Sequence, residues 1–122
     1  MIIMNKTEPT LKRGDVVLVL FTNSDLTTAK TRPALIVQAD DLNTGLSQVI
    51  IAMITSQLSR ANHPSRVTIL LDSLNGQNSG LLANSVVMTD NLATVKLPAI
   101  YRVIGYLSTE EIDQALRYTL SL

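Results

Sequence analysis

The residues of this sequence best suited to chemistry lie at the ends of predicted strands. Arg32 directly precedes Pro33 at the start of an apolar run, and Lys30 lies two positions earlier. Because proline restricts the preceding residue to extended conformations, we expect the guanidinium of Arg32 to reach out from a strand rim. A guanidinium presents paired N–H donors that match the oxygens of a phosphate. The alternative is an ordinary surface arginine in an ion pair, and the spacing alone does not decide between the two.

A second polar group follows a different apolar run. Thr55 ends the strongly apolar segment that starts at Gln48, and Ser56 and Gln57 come next. Hydroxyl and amide groups therefore gather where the chain leaves a predicted strand, and they could donate hydrogen bonds to a ligand. The more common use of threonine and serine at such a point is to cap the end of the strand.

The remaining polar candidates carry weaker signals. Asp90 and Asn91 follow a short apolar run and are typical of a simple turn pair. His63 precedes Pro64 in a polar turn, and a lone histidine is weak evidence of a catalytic base, so we predict a surface histidine. With no cysteine and a single histidine, the chain lacks the residues for a thiolate or histidine-rich metal site.

Composition limits the function classes. The 122 residues suit one domain spanning 1–122, with an irregular leader over 1–11. The net charge is zero, and only four residues are aromatic, which argues against a general nucleic-acid binder that stacks successive bases. The sequence is still compatible with a local basic site, because four cationic residues flank predicted loops: Lys30, Arg32, Arg60 and Arg66.

The apolar residues predict neither a membrane protein nor a secreted one. No apolar run approaches the roughly 20 residues that a membrane-spanning helix needs. The amino-terminal segment has no long apolar core followed by a small-residue cleavage site. We therefore expect a protein of the cytoplasm that has no membrane partner.

Strands must position most of the candidate residues. Short β-branched and apolar runs separated by turn residues predict six strands, over residues 15–21, 32–38, 48–55, 66–71, 85–89 and 99–106. A Gly/Asn/Ser-rich turn is predicted at residues 73–80. Such regular spacing without helical crossovers favours antiparallel hairpins in a small barrel or a strongly bent sheet.

One helix is predicted at the carboxyl end. Ser108 has the position of an N-cap, and Glu111 three residues later would complete a capping box. Apolar residues then recur at helical spacing, which predicts a stripe that packs on the sheet or across a subunit interface. This stripe consists of Ile112, Ala115, Leu116 and Leu120.

Several segments, taken in order, resemble the signature blocks of the MazF/PemK-type toxins of toxin–antitoxin systems. Each block is short, but the ordered set runs from about Lys12 to the end of the C-terminal helix. The blocks are residues 12–19 (KRGDVVLV), 32–37 (RPALIV), 50–56, 64–67, 80–81, 85–92 and 105–108.

The resemblance implies an SH3-like barrel of five to seven antiparallel strands with a C-terminal α-helix. It also implies a homodimer that acts as a metal-independent, cofactor-free endoribonuclease on single-stranded RNA. Cleavage would occur at short sequences through attack by the 2′-hydroxyl. A cognate antitoxin with a disordered tail would block it, in a complex that also binds DNA.

The same resemblance assigns residues. The arginine before proline in the second strand is Arg32, and the threonine that closes the third strand is Thr55; these two positions are tied to catalysis. The carboxylate used by some family members falls near Asp90. The predicted RNA contacts are Lys30, Ser56, Gln57, Asp90 and Asn91.

The sequence departs from the family pattern at two places. Residues 25–30 (DLTTAK) replace a loop that carries Gly-x-Glu-Gln in many relatives, and Ala93 stands where relatives often carry an arginine. The alternative functions are a noncatalytic SH3-like toxin that binds a protein target, as gyrase poisons do, and an inactive relative of the nucleases. The presence of both Arg32 and Thr55 favours the nuclease.

Overall fold

Six antiparallel strands form one sheet in the computed structural model, which describes residues 10–22, 25 and 27–122. The mainly β class predicted from the sequence is confirmed, and residues 1–9 of the predicted leader lie outside the described residues. The strands are β1 (Asp15–Thr22), β2 (Ala29–Ile36), β3 (Gln48–Thr55), β4 (Arg66–Ile69), β5 (Ser85–Lys96) and β6 (Ile100–Tyr106).

The sheet is open, which corrects the expectation of a closed barrel. Its strand order is β4-β5-β3-β2-β1-β6, and among the described residues β4 and β6 at its two edges do not pair with each other. β4 has only four residues, so it offers little edge for closure. Two helices, α1 (Leu74–Ser79) and α2 (Glu110–Leu120), pack against these strands instead: α1 contacts β6, and α2 contacts β4 and β5.

The central strands are buried on both faces, as their continuous apolar runs predict. In β1, Val16 belongs to one apolar core while Val17 and Val19 belong to another, because successive side chains point to opposite faces. The first core includes Ile112 and Ala115 of α2. The second includes residues of β2, β3 and β6.

Helix α1 lies where the sequence predicts only a turn, so that prediction is wrong. The Ser73 side chain accepts a hydrogen bond from the Gly76 N–H at 3.0 Å, which caps the first turn. Gly80 ends the helix with φ of 73° and lies so close to β6 that a Cβ there would be 2.0 Å from the Ile104 carbonyl oxygen. Capping and close packing therefore form a helix from residues of low helix propensity.

Helix α2 begins one residue later than predicted. Thr109, not Ser108, is its N-cap, and no side-chain hydrogen bond caps it. The predicted capping box is wrong because the Ser108 N–H donates instead to Asn75 Oδ1 at 2.9 Å. Of the predicted stripe, Ile112 and Ala115 are buried, whereas Leu120 is 50% exposed. No helix in the described part of the chain is long and apolar enough to span a membrane.

Candidate active site

The ends of β2 and β3 separate at Pro33. β2 pairs with β1 from Ala29 to Leu35, including Leu18 opposite Pro33, but its pairing with β3 stops at Ala34 opposite Met53. Proline has no N–H to donate, so it interrupts a ladder on one side of the strand. If the register continued by two residues, Arg32 would lie opposite Thr55. The two residues predicted to be catalytic therefore stand on neighbouring strands, where the ladder between them has ended.

Two clefts meet at this gap. The first, which we call the lysine cleft, has a volume of about 550 Å³, and the second, the methionine cleft, has a volume of about 840 Å³. Both are lined by Arg32, Ile54, Thr55 and Gln57. The lysine cleft is also lined by Leu18, Lys30, Thr31, Pro33, Ser56, residues 80–83, Ser85, Arg102 and Ile104. The methionine cleft is also lined by Phe21, Met53, Arg60, Met88, Asn91 and Ala93.

Arg32 and Thr55 both have hydrogen-bond donors that a ligand could use. Arg32 is exposed, and no described residue accepts a hydrogen bond from its guanidinium. The Thr55 hydroxyl oxygen accepts a hydrogen bond from the Gln57 N–H at 3.1 Å. This is the capping role typical of threonine at a strand end, and it leaves the hydroxyl hydrogen available to a ligand. Capping and ligand binding are therefore compatible at this residue.

The clefts are cationic although the chain has no net charge. Lys30 and Arg102 line the lysine cleft with Arg32, and Arg60 lines the methionine cleft. Among the residues that the structure describes, no aspartate or glutamate lines either cleft. The sequence places Arg60 beside a predicted loop and gives it no site role. Arg102 of β6 lies opposite Leu18 of β1, and no local pattern in the sequence points to it.

Asn91 enters the methionine cleft through an irregularity in β5. The pairing of β3 with β5 jumps from Ala52 opposite Leu92 to Met53 opposite Met88, so residues 89–91 of β5 have no partner in β3. The predicted turn at Asp90 and Asn91 is thus a bulge inside a longer strand, which redirects side chains. Ser56, another of the predicted RNA contacts, lines the lysine cleft.

Asp90 lines neither cleft. Its carboxylate accepts two hydrogen bonds from Arg66, from Nε at 3.0 Å and from Nη2 at 2.6 Å. The Arg66 hydrogen bond holds the pKa of Asp90 below its usual value, and Asp90 raises the pKa of Arg66. The structure therefore brings Lys30, Arg32, Thr55, Ser56, Gln57 and Asn91 to the clefts but keeps the Asp90 carboxylate in an ion pair.

Two other groups that could move protons are held in turns. Asp25 Oδ1 accepts hydrogen bonds from the backbone N–H groups of Thr27 and Thr28, which lower the pKa of this carboxyl and make it a weaker base. His63 is exposed, and its Nδ1 accepts a hydrogen bond from the Ser65 N–H at 3.1 Å. It contacts Tyr118 edge to face and lines neither cleft.

A small antiparallel sheet with two adjoining cationic clefts is typical of a protein that binds a polyanion. Comparison with known protein families identifies which class of protein this is. Residues 12–120 match the family described as the PemK-like, MazF-like toxins of type II toxin–antitoxin systems. The chain therefore belongs to this toxin family, and the resemblance seen in its sequence blocks is confirmed.

Solved structures of the same fold cover nearly the whole chain. The Mycobacterium tuberculosis toxin MazF-mt6 is 25% identical, with a TM-score of 0.66 over 88% of this chain and 97% of that one. An endoribonuclease from a mycobacterial species, in complex with its cognate antitoxin, is 22% identical, with a TM-score of 0.71 over 93% and 97%. A MazE–MazF complex from Deinococcus radiodurans is 18% identical, with a TM-score of 0.67 over 92% and 97%.

Proposed function

We propose that this toxin is an endoribonuclease that cuts single-stranded RNA at the gap between β2 and β3. The observation that carries the proposal is the placement of Arg32 and Thr55, which stand at the separated strand ends and line both clefts. Family membership and the names of the structural relatives agree with it. A scissile phosphate bound at the gap would place the nucleotides on its two sides in different clefts.

RNA carries its own nucleophile, so the protein has few chemical tasks. The 2′-oxygen bonds to phosphorus and loses its proton, the bond to the 5′-oxygen breaks, and that oxygen takes up a proton. The products are a 2′,3′-cyclic phosphate and a 5′-hydroxyl. Arg32 donates to the nonbridging oxygens, where charge accumulates in the transition state, because a guanidinium is cationic and presents several N–H donors. Thr55 donates its hydroxyl hydrogen to the same phosphate.

The cleft linings are suited to neighbouring nucleotides. Lys30 and Ser56 of the lysine cleft can contact phosphates, and Asn91 of the methionine cleft offers an amide for a base edge. Gln57 lies between the clefts and can contact either neighbour. Bases reach such clefts only when they are unstacked, which is why the proposed substrate is single-stranded. Metal independence is part of this proposal, since the reaction needs only alignment and charge stabilisation.

Two protein partners are part of the proposal. We expect a cognate antitoxin with a flexible acidic segment that occupies the cationic clefts, since relatives of this fold are known in complex with antitoxins. We also expect a homodimer, because edge strand β6 carries the exposed apolar side chains Tyr101, Val103 and Tyr106. The cytoplasm, where RNA and antitoxin are made, is the expected site of action.

Cleavage of a long RNA in excess EDTA tests the proposal. Purified protein should cut it at a small set of sequences and leave 5′-hydroxyl ends, while heat-denatured protein leaves it intact. Intact RNA after incubation with the native protein would contradict the nuclease and favour the noncatalytic or inactive alternatives. Cutting that stops in EDTA would contradict metal independence.

A further inference from the structure

Arg66 ties together the parts of the chain that form one wall of the methionine cleft. Its Nε and Nη2 donate to the Asp90 carboxylate, and its Nη1 donates to the Arg60 carbonyl oxygen at 2.9 Å. All three guanidinium nitrogens are thus used within the protein. One side chain on β4 thereby joins the bulge of β5 to the short 3₁₀ turn Leu58–Arg60.

Each of the joined segments sends a side chain into the cleft. Arg60 follows Thr55 by only five residues, and its guanidinium is the second cation of the methionine cleft beside Arg32. Its Nε lies 3.5 Å from Gln57 Oε1, too long to hold it firmly. Asn91 stands next to Asp90 in the bulge and lines the same cleft. The Arg66 hydrogen bonds therefore hold the Arg60 backbone and the Asp90 side chain beside Asn91, and so hold this part of the cleft wall.

We infer that Arg66 and Asp90 are positioning residues for RNA binding, with no contact to the RNA themselves. Their pairing holds Arg60 where it meets a backbone phosphate and Asn91 where it meets a base. This assigns Asp90 a role different from the direct RNA contact that the family resemblance predicts. The inference rests on the proposed function, since it names how one wall of the same site is held.

The chain contains a matched control for this pair. Arg13 Nη2 lies 2.7 Å from Asp113 Oδ1, and its Nε donates to the Val37 carbonyl oxygen at 3.0 Å. The exposed fractions of the side chains are alike, 21% and 37% for Arg66 and Asp90 against 25% and 39% for Arg13 and Asp113. Neither Arg13 nor Asp113 lines a cleft of the site.

The test compares R66L/D90N with R13L/D113N. Each double variant removes one positive and one negative charge, so a change in net charge cannot explain a difference between them. Binding is measured with a 2′-O-methyl version of a mapped cut site, which lacks the attacking hydroxyl, at several salt concentrations. Circular dichroism and thermal melting establish that each variant is folded.

We expect R66L/D90N to bind this oligonucleotide at least fivefold more weakly, with a salt slope (of log Kd against log salt) reduced by about 0.7, the share of one phosphate contact in single strands. R60A should show the same reduced slope, and adding R60A to R66L/D90N should change the affinity less than twofold, because Arg60 has already lost its position. R13L/D113N should bind as the wild type does.

A folded R66L/D90N variant with wild-type affinity and salt slope would overturn the inference. So would a full additional loss of affinity when R60A is added to R66L/D90N, because the two changes would then act independently. Failure of the wild-type protein to bind or cut the unmodified RNA would instead contradict the proposed function.

Discussion

The position of Arg32 and Thr55 follows from the chemistry of the residues around them. Pro33 lacks the N–H that a ladder between β2 and β3 would need, so the two strands separate at their ends. Thr55 then caps the chain as it leaves β3 through its bond with the Gln57 N–H. The sequence alone indicates a rim arginine and a strand-end threonine. Their common clefts depend on strand pairing, which a local pattern does not specify.

Replacing Arg32 with alanine should abolish most RNA cleavage without unfolding the protein. The side chain is exposed, and loss of one donor that stabilises transition-state charge commonly lowers the rate on the order of a hundredfold or more. Initial rates on a mapped oligonucleotide measure the effect. R117A, which removes an exposed arginine on α2, is the control and should cut normally; near-normal cutting by R32A would remove Arg32 from the site.

Replacing Thr55 with valine should slow cleavage by at least about tenfold, because it deletes the hydroxyl at nearly constant volume. Thr55→Ser, which keeps the hydroxyl, should retain most of the activity. T94V changes an exposed threonine of β5 outside both clefts and serves as the control. If Thr55→Val cuts at the wild-type rate while folded, Thr55 only caps the strand.

At the level of elements, the strands are predictable and their irregularities are not. The apolar runs of β1 and β3 predict their bounds to within one residue, because buried strands require such runs. The bulge at residues 89–91 makes β5 longer than predicted, since polar residues at Asp90 and Asn91 are typical of a turn when read locally. Helix α1 is not predictable from local sequence, because its formation depends on contacts with β6.

Two glycines with similar positive φ values distinguish the cost of backbone strain from the cost of a steric clash. Gly80 and Gly45 have φ values of 73° and 78°, but a Cβ at Gly80 would meet the Ile104 backbone at 2.0 Å, whereas one at Gly45 would meet nothing within 4 Å. Gly45→Ala should lower the free energy of unfolding by about 1 kcal/mol through backbone strain alone. Gly80→Ala should lower it by a further 1 to 3 kcal/mol, roughly, because α1 must move away from β6.

Urea unfolding of the two variants measures this difference. Equal losses of stability in Gly45→Ala and Gly80→Ala would show that the close approach of α1 to β6 contributes nothing.

On the scale of the whole molecule, charge and apolar surface are unevenly distributed. Among the described residues, four cations line the two clefts although the net charge is zero, and edge strand β6 exposes three large apolar side chains. Composition predicts neither feature, because both depend on which residues the fold brings to the surface together. Both are suited to the partners proposed above, a polyanion in the clefts and a second subunit.

The protein should be a homodimer at micromolar concentration, since a monomer would leave the apolar side chains of β6 in water. Light scattering should give about twice the 13.3 kDa mass of one chain. A monomer mass would contradict the dimer.

Antitoxin binding should also compete with RNA and weaken with salt, and an RNA that fails to displace an antitoxin peptide would contradict a shared site.

We propose that the gap between β2 and β3 aligns an RNA 2′-hydroxyl for attack on the neighbouring phosphate. The most direct measurement compares two oligonucleotides in excess EDTA, one the natural cut site and the other differing only by a single 2′-deoxy nucleotide on the 5′ side of the scissile phosphate. The natural oligonucleotide should be cut to a 2′,3′-cyclic phosphate and a 5′-hydroxyl end. The deoxy oligonucleotide should bind with similar affinity and remain intact, whereas its cleavage at a comparable rate would show that the 2′-hydroxyl is not the nucleophile.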